Sequence, residues 1–380
     1  MNKRVIAGFL SFAMLATVQT IGASAAVKAG AKCSKAGIKS ITTGKTFTCV
    51  KSGKKLVWVK GNKAAAKPIL VIPDSWPIDK AADKDIFLIA DKNFRKFQQA
   101  NKTTPKLTIK YGPSTDKKRA DQYLYSLYNA ANFWNTDWKY DGEIVAALGT
   151  SKDHSWLKDL WSQFGLTFPE FLNMYIHTEQ GFSDLGDYCN HGSATFGNSK
   201  PFFWGCMPTQ GDLEMIGLKK FSAHEYTHIA QYAIVGNFGM RYMPVLISEG
   251  SADFYGVSLA SEVSRIDQDW KTFFSTGFMS EDARTYLSSA TTEQINNLLM
   301  NSFGDGPKLV DGHWYYTGAY VTIRMIAAQG HDGFVRFMNS VKETNNANQS
   351  FEKVYGIKFE EFAKVIAPEI STLAKTIKKR

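Results

Sequence analysis

The sequence predicts an α+β protein, a small basic β module followed by one large domain whose later half is mostly helical. Three observations carry this reading. Short β-prone stretches between Thr-Gly and Ser-Gly turns fill residues 26–61. Helical and strand periodicities mix between about residues 87 and 149. From about residue 212 onward the pattern is almost entirely helical.

The first 25 residues stand apart. Lys3 and Arg4 precede an apolar run from Val5 to Val18, and Ala23-Ser24-Ala25 offers a small-residue cleavage site. That is the layout of a secretory signal peptide. The run is too short to cross a bilayer, and no other uncharged apolar stretch reaches spanning length. The mature chain is therefore expected to be exported, with no transmembrane span.

The module at residues 26–61 has β-prone stretches at Lys45 to Val50 and Leu56 to Val59. Residues 26–67 carry eleven lysines and no acidic residue. The formal charge is +10; without Lys3 and Arg4 it is +8, so residues 68–380 sum to 8 − 11 = −3. Positive charge thus belongs to a short segment, drawn to polyanions. In an exported protein that means an anionic cell-wall polymer, acidic polysaccharide or anionic lipid rather than nucleic acid. Four cysteines in an exported chain read as two disulfides. Sequence-local pairing, Cys33 with Cys49 and Cys189 with Cys206, is expected, each closing a loop worth roughly 3 kcal/mol.

Residues 62–75 read as a linker and 76–380 as the main domain. Phe87, Ala90, Phe94 and Phe97 recur at helical spacing, as do Tyr123, Leu127, Ala130 and Trp134. "KLTIKYG" (106–112) alternates like a strand, and "EIVAALG" (143–149) is a short buried-strand candidate. "DYCNHGSATFGNSKPFFWGC" (187–206) reads as a disulfide-tied loop rich in glycine and aromatics.

Chemistry concentrates in "FSAHEYTHIAQY" (221–232). No proline or glycine interrupts this stretch before Gly236, which supports about four helical turns. Residues four apart share a helix face, so His224 and His228 can turn both imidazoles toward one ion at zinc-like distance. Glu225 lies beside that ion, where a carboxylate takes a proton from water. A second helix-compatible stretch, "LISEGSADFYG" (246–256), follows a loop with Gly236, Asn237, Gly239 and Pro244. It places Glu249 as a third ligand and Asp253, four residues on, as acceptor for the N–H of His224. Gly250 and Ala252 are small enough for close packing against the first helix.

This pairing of His224-Glu225-Tyr226-Thr227-His228 with Glu249 and Asp253 resembles the gluzincin metallopeptidases, the thermolysin-like and aminopeptidase-related group. The resemblance implies a zincin-like domain with a small mixed sheet and a mostly helical C-terminal half. It implies Zn2+ held by His224, His228 and Glu249, with Glu225 as base and Asp253 supporting a ligand. "HWYYTGAYVTIRMIAAQG" (313–330) is similar to the helix that follows the site in aminopeptidase-like members. By that likeness Tyr315, with Gly318, donates to the oxyanion; Tyr316 and His313 are its rivals. Two departures matter. No Gly-x-Met-Glu-Asn stretch precedes the site helix, and Ser248 stands where thermolysin-like members carry Asn. The N-terminal module resembles small cysteine-paired modules of exported actinobacterial proteins, which implies a bacterial, secreted or cell-wall setting.

The expected function is hydrolysis of peptide or protein substrates by a zinc-dependent, glutamate-assisted route. The alternative is a catalytically weak scaffold that serves as a surface binding protein. His154 reads as a structural histidine, and His177, His191 and His331 have no evident partner in the sequence.

Overall fold

The computed structural model describes residues 27–42, 45–53, 55–60, 72–82, 84–100, 105–165, 191–197, 200–207, 216–276, 280–304 and 310–378. It divides the chain into two units, residues 1–71 and 72–380. The signal-peptide residues and most of the 62–75 segment lie outside the described residues. Among the described residues, no helix is long and apolar enough to cross a membrane.

In the first unit β1 (Lys39–Thr42), β2 (Lys45–Ser52) and β3 (Lys55–Lys60) form an antiparallel meander. A sheet this small buries few side chains, chiefly Phe47 and Cys49. The Cys33–Cys49 disulfide therefore supplies what the core cannot. Lys28, Lys32, Lys35, Lys39, Lys51, Lys55 and Lys60 are all exposed.

The second unit is α+β and mostly helical. Its sheet contains β4 (Lys106–Tyr111), β5 (Glu143–Gly149), β6 (His191–Gly197) and β7 (Lys200–Cys206), in the order β4-β5-β7-β6. β4, β5 and β7 run parallel, and β6 closes the edge antiparallel to β7. β5 is apolar without alternation because both its faces are covered. Ile144, Ala146 and Leu148 enter the main core, while Val145 and Ala147 join Leu157, Leu160, Trp161, Phe202 and Trp204 in a second cluster.

Two sequence expectations change here. The stretch read as a stapled loop contributes the β6–β7 hairpin. Phe202 and Trp204 face one cluster and Phe203 the other, a period of two that the surrounding glycines and aromatics disguise. Cys206, at the end of β7, is disulfide-bonded, and Cys189 lies outside the described residues.

Helices make up the rest of the unit. α1 (Ile86–Ala100), α2 (Lys117–Tyr123), α3 (Tyr125–Trp138) and α4 (His154–Gln163) belong to the first half. There follow α5 (Ile216–Lys219), α6 (Phe221–Gly239) and α7 (Val245–Ala260). The chain ends with α8 (Ile266–Thr276), α9 (Glu281–Ser289), α10 (Thr292–Phe303), α11 (Trp314–Thr344), α12 (Ala347–Tyr355) and α13 (Phe359–Ala374). α6 continues past Gly236, whose φ of 79° bends the last turn. Only then does the chain reverse into α7, so the return begins later than the glycines suggest. α7 is buried on nearly every side, packed between α6 and α11.

The second changed expectation concerns how these helices touch. Gly250 of α7 meets Gly318 of α11, and a methyl group on either would overlap the other helix's backbone. Gly250 thus serves the α7–α11 crossing, not the α6 contact. It is Gly256 that faces α6, against the backbone of Lys220 and the Cβ of His224. Replacing Gly318 by Ala forces a methyl into the Leu246 carbonyl. The expected cost is about 3 kcal/mol or more, read as a lowered urea midpoint with an unchanged slope.

Candidate metal centre

α6 packs against β6 and α7, and its inward face carries His224, Glu225 and His228. Ile229 and Ala230 next to them are buried in the main core. The adjacent turns of α7 bring Glu249 and Asp253, and the first turn of α11 brings Tyr315. Six of the sequence-predicted residues therefore meet in one place. A cavity of about 290 Å³ is lined by His224, Glu225, His228, Tyr232, Met240, Ser248, Glu249 and Tyr315.

Three donor atoms converge. His224 Nε2 lies 3.3 Å from His228 Nε2, and each lies 3.4 Å from Glu249 Oε2. A tetrahedron with metal–ligand bonds of about 2.05 Å has edges of about 3.3 Å, from the bond lengths typical of zinc. The observed triangle fits one face of such a tetrahedron. Its fourth corner points away from the protein ligands, the arrangement of an open rather than a closed site.

Hydrogen bonds behind the imidazoles fix which nitrogens face inward. His224 Nδ1 donates to Asp253 Oδ1 at 2.6 Å. His228 Nδ1 donates to Gln231 Oε1 at 2.9 Å. Gln231 cannot flip, because its amide group donates to Ser248 O at 2.8 Å and Ser251 Oγ at 2.9 Å. With both Nδ1–H groups so occupied, Nε2 is the nitrogen that each imidazole has left to offer a metal ion. Asp253 is itself held by the ammonium of Lys220, a fully buried ion pair.

Charge in the cluster follows from these contacts. Burial works to lower the pKa of His228, but the charge and hydrogen bond of Glu249, with Glu225 and Gln231, together raise it to about 9. Burial opposes and Asp253 favours the charged form of His224, with a net upward shift. Glu249, although buried, is held well below the usual carboxylate range by His228 and His224. Glu225 goes the other way: burial raises its pKa. Burial, then the Glu249 charge, push the Tyr315 hydroxyl up, so it stays protonated at neutral pH.

Compared with protein-family models, curated proteins and solved structures, the chain has no significant match.

The rivals of Tyr315 sit elsewhere. Tyr316 is fully buried with its ring against Phe274. His313 is buried between Ser302 Oγ at 2.8 Å and Thr317 Oγ1 at 3.0 Å. Tyr315, by contrast, tilts against His224 with ring centroids 6.0 Å apart. His331, unpartnered in the sequence reading, bonds Tyr255 OH at 2.7 Å and Asp137 Oδ2 at 3.0 Å. It joins α11 to α7 and α3, away from the cavity. His177 and the side chains of His154 and His191 lie outside the described residues.

Sequence reasoning missed Lys220 and Gln231. The signal was available: Lys220 lies four residues before His224 and Gln231 three after His228, on the same helix face.

Two outcomes test this environment. Lys220→Met leaves the buried Asp253 carboxylate with His224 but without its ammonium partner, and a loss of about 3 kcal/mol is expected in urea denaturation. His313 offers a pH test, since burial pulls its pKa down to about 4, below the roughly 6.5 of an unfolded histidine. The unfolded chain then binds the extra proton between those values. Stability is fully present above about pH 6.5 and falls as pH drops toward 4. Between pH 7 and 4.5 in chelator, the wild type is expected to lose about 2–3 kcal/mol more than His313→Asn.

Proposed function

We propose that the protein is an exported metal-dependent peptidase of the gluzincin type, with Zn2+ held by His224, His228 and Glu249. The observation that carries this reading is the triangle of lone-pair donors, 3.3 Å, 3.4 Å and 3.4 Å on its edges, with every competing N–H turned outward. Two imidazoles and one carboxylate are the ligand set of catalytic rather than structural zinc sites. The ion, when bound, supplies Lewis acidity to a water and to the scissile carbonyl.

The chain's own residues do the rest. Glu225, at the cavity wall with a raised pKa, takes a proton from the attacking water. It returns the proton to the departing amine, so both halves of the transfer pass through one carboxyl group. The Tyr315 hydroxyl, protonated and lining the same cavity, donates a hydrogen bond to the carbonyl oxygen as negative charge builds there. Asp253 and Gln231 keep both imidazoles in the tautomer that binds metal. The substrate is a peptide or protein outside the cell. The lysine-rich first unit supports attachment to an anionic wall polymer.

Three variants test the assignment together. Glu225→Gln is expected to keep stoichiometric metal by elemental analysis while peptide cleavage falls about 10²–10⁴-fold. Glu249→Ala should emerge without metal. Asp253→Asn should bind metal about 10–100-fold more weakly. Undiminished cleavage by Glu225→Gln overturns the assignment of the base, and full metal content in Glu249→Ala overturns the site.

A further inference from the structure

A second cavity, of about 390 Å³, is lined by Arg241, Asn301, Ser302, Asn346, Asn348 and Trp314 among others. No residue lines both this cavity and the metal-centre cavity, but sequence neighbours do. Met240 lines one and Arg241 the other; Tyr315 lines one and Trp314 the other. Ser248 faces the metal centre, and Val245, one turn earlier on α7, faces the second space. Consecutive Cα atoms are about 3.8 Å apart, so at these points a single stretch of backbone separates the two cavities. A peptide that crosses one of these segments from the metal centre enters the second cavity.

The chemistry of the lining selects what enters. Asn301, Asn345, Asn346 and Asn348 bring amides, Ser302 a hydroxyl, and Arg241 the one charged group; no carboxylate is among the lining residues. Arg241 is exposed, with its guanidinium over the Phe238 ring at 5.9 Å, a contact that steadies the side chain without neutralising it. Trp314, 8% exposed, contributes an aromatic wall. An apolar side chain would strip water from these amides and return no hydrogen bonds. A lysine would meet like charge. A carboxylate gains a charge-assisted contact from the guanidinium and further donors from the amides.

We infer that this cavity is a substrate subsite for an acidic side chain, Glu or Asp, flanking the bond to be cut; the phrase "to be cut" rests on the peptidase reading, the binding does not. The test uses full-length, zinc-loaded protein carrying Glu225→Gln, so that turnover does not consume the probe. The probes are acetylated and amidated pentapeptides of alanine with a central Glu or a central Lys, titrated by calorimetry. The Glu peptide is expected to bind about tenfold more tightly than the Lys peptide, the scale of one charge-assisted pair at an open site. Adding Arg241→Ala should abolish the difference, and Arg241→Glu should reverse it. Equal binding of the two peptides, binding of neither, or a preference unchanged by Arg241→Glu overturns the inference. Incubating wild-type protein with the same peptides separates the two readings by mass spectrometry. Charge-selective binding with no cleavage sinks the peptidase and leaves the subsite; cleavage of Glu and Lys peptides alike does the reverse.

Discussion

Three lone pairs cannot share one point without a cation between them. In this protein two imidazole nitrogens and a carboxylate oxygen stand 3.3–3.4 Å apart, with their hydrogen-bond donors committed elsewhere. In the metal-free chain the Glu249 charge favours the protonated imidazole of His228. The same three atoms could hold a metal ion instead. Around the point lie three carboxylates, Glu225, Glu249 and Asp253, and one ammonium, Lys220, all mostly buried. A low-dielectric site tolerates such a set only when its charges close.

That constraint explains residues far less conspicuous than the histidines. Asp253 must stay turned toward His224, and Lys220 holds it there. Gln231 must present its oxygen to His228, and Ser248 and Ser251 hold its amide. Every one of these contacts is built from helix spacing within α6 and α7, or from the crossing of the two. The supports are thus placed by the same local geometry that places the ligands. A buried Lys–Asp pair contributes little net stability against an apolar replacement of both. Its value here is the orientation it imposes.

The sequence made the site legible because its spacing is local. His224, Glu225 and His228 share one helix, and Glu249 with Asp253 share the next, so period alone aligns them. The mixed α+β character and the strands at 106–111 and 143–149 were legible for the same reason. What escaped depends on tertiary neighbours. Small residues at Gly250 and Gly256 announce close packing, but nothing local says that Gly250 meets α11 and Gly256 meets α6. The β6–β7 hairpin hid because both faces of β7 are buried, which erases the alternation that marks a strand at a surface. Lys220 finds its partner only through the fold, since Asp253 lies 33 positions away.

The same crossing that eluded the sequence also governs where Tyr315 stands. Gly318 lies three residues beyond Tyr315 on α11, so the two share a face. That face presses Gly318 onto the Leu246 carbonyl and the Gly250 Cα of α7, one turn from Glu249. α11 therefore makes its closest backbone approach to α7, the helix that carries Glu249. A hydrogen-bond donor acting on a developing charge must be placed to within a fraction of an ångström, since a 1 Å error costs about 10²-fold in rate. Two facing glycines give that tolerance because backbone against backbone leaves no rotamer to relax. Bulk at this contact would accordingly shift Tyr315 relative to His224 before it unfolded the domain. The glycine seat, though neither glycine lines the cavity, is part of how Tyr315 is placed against it.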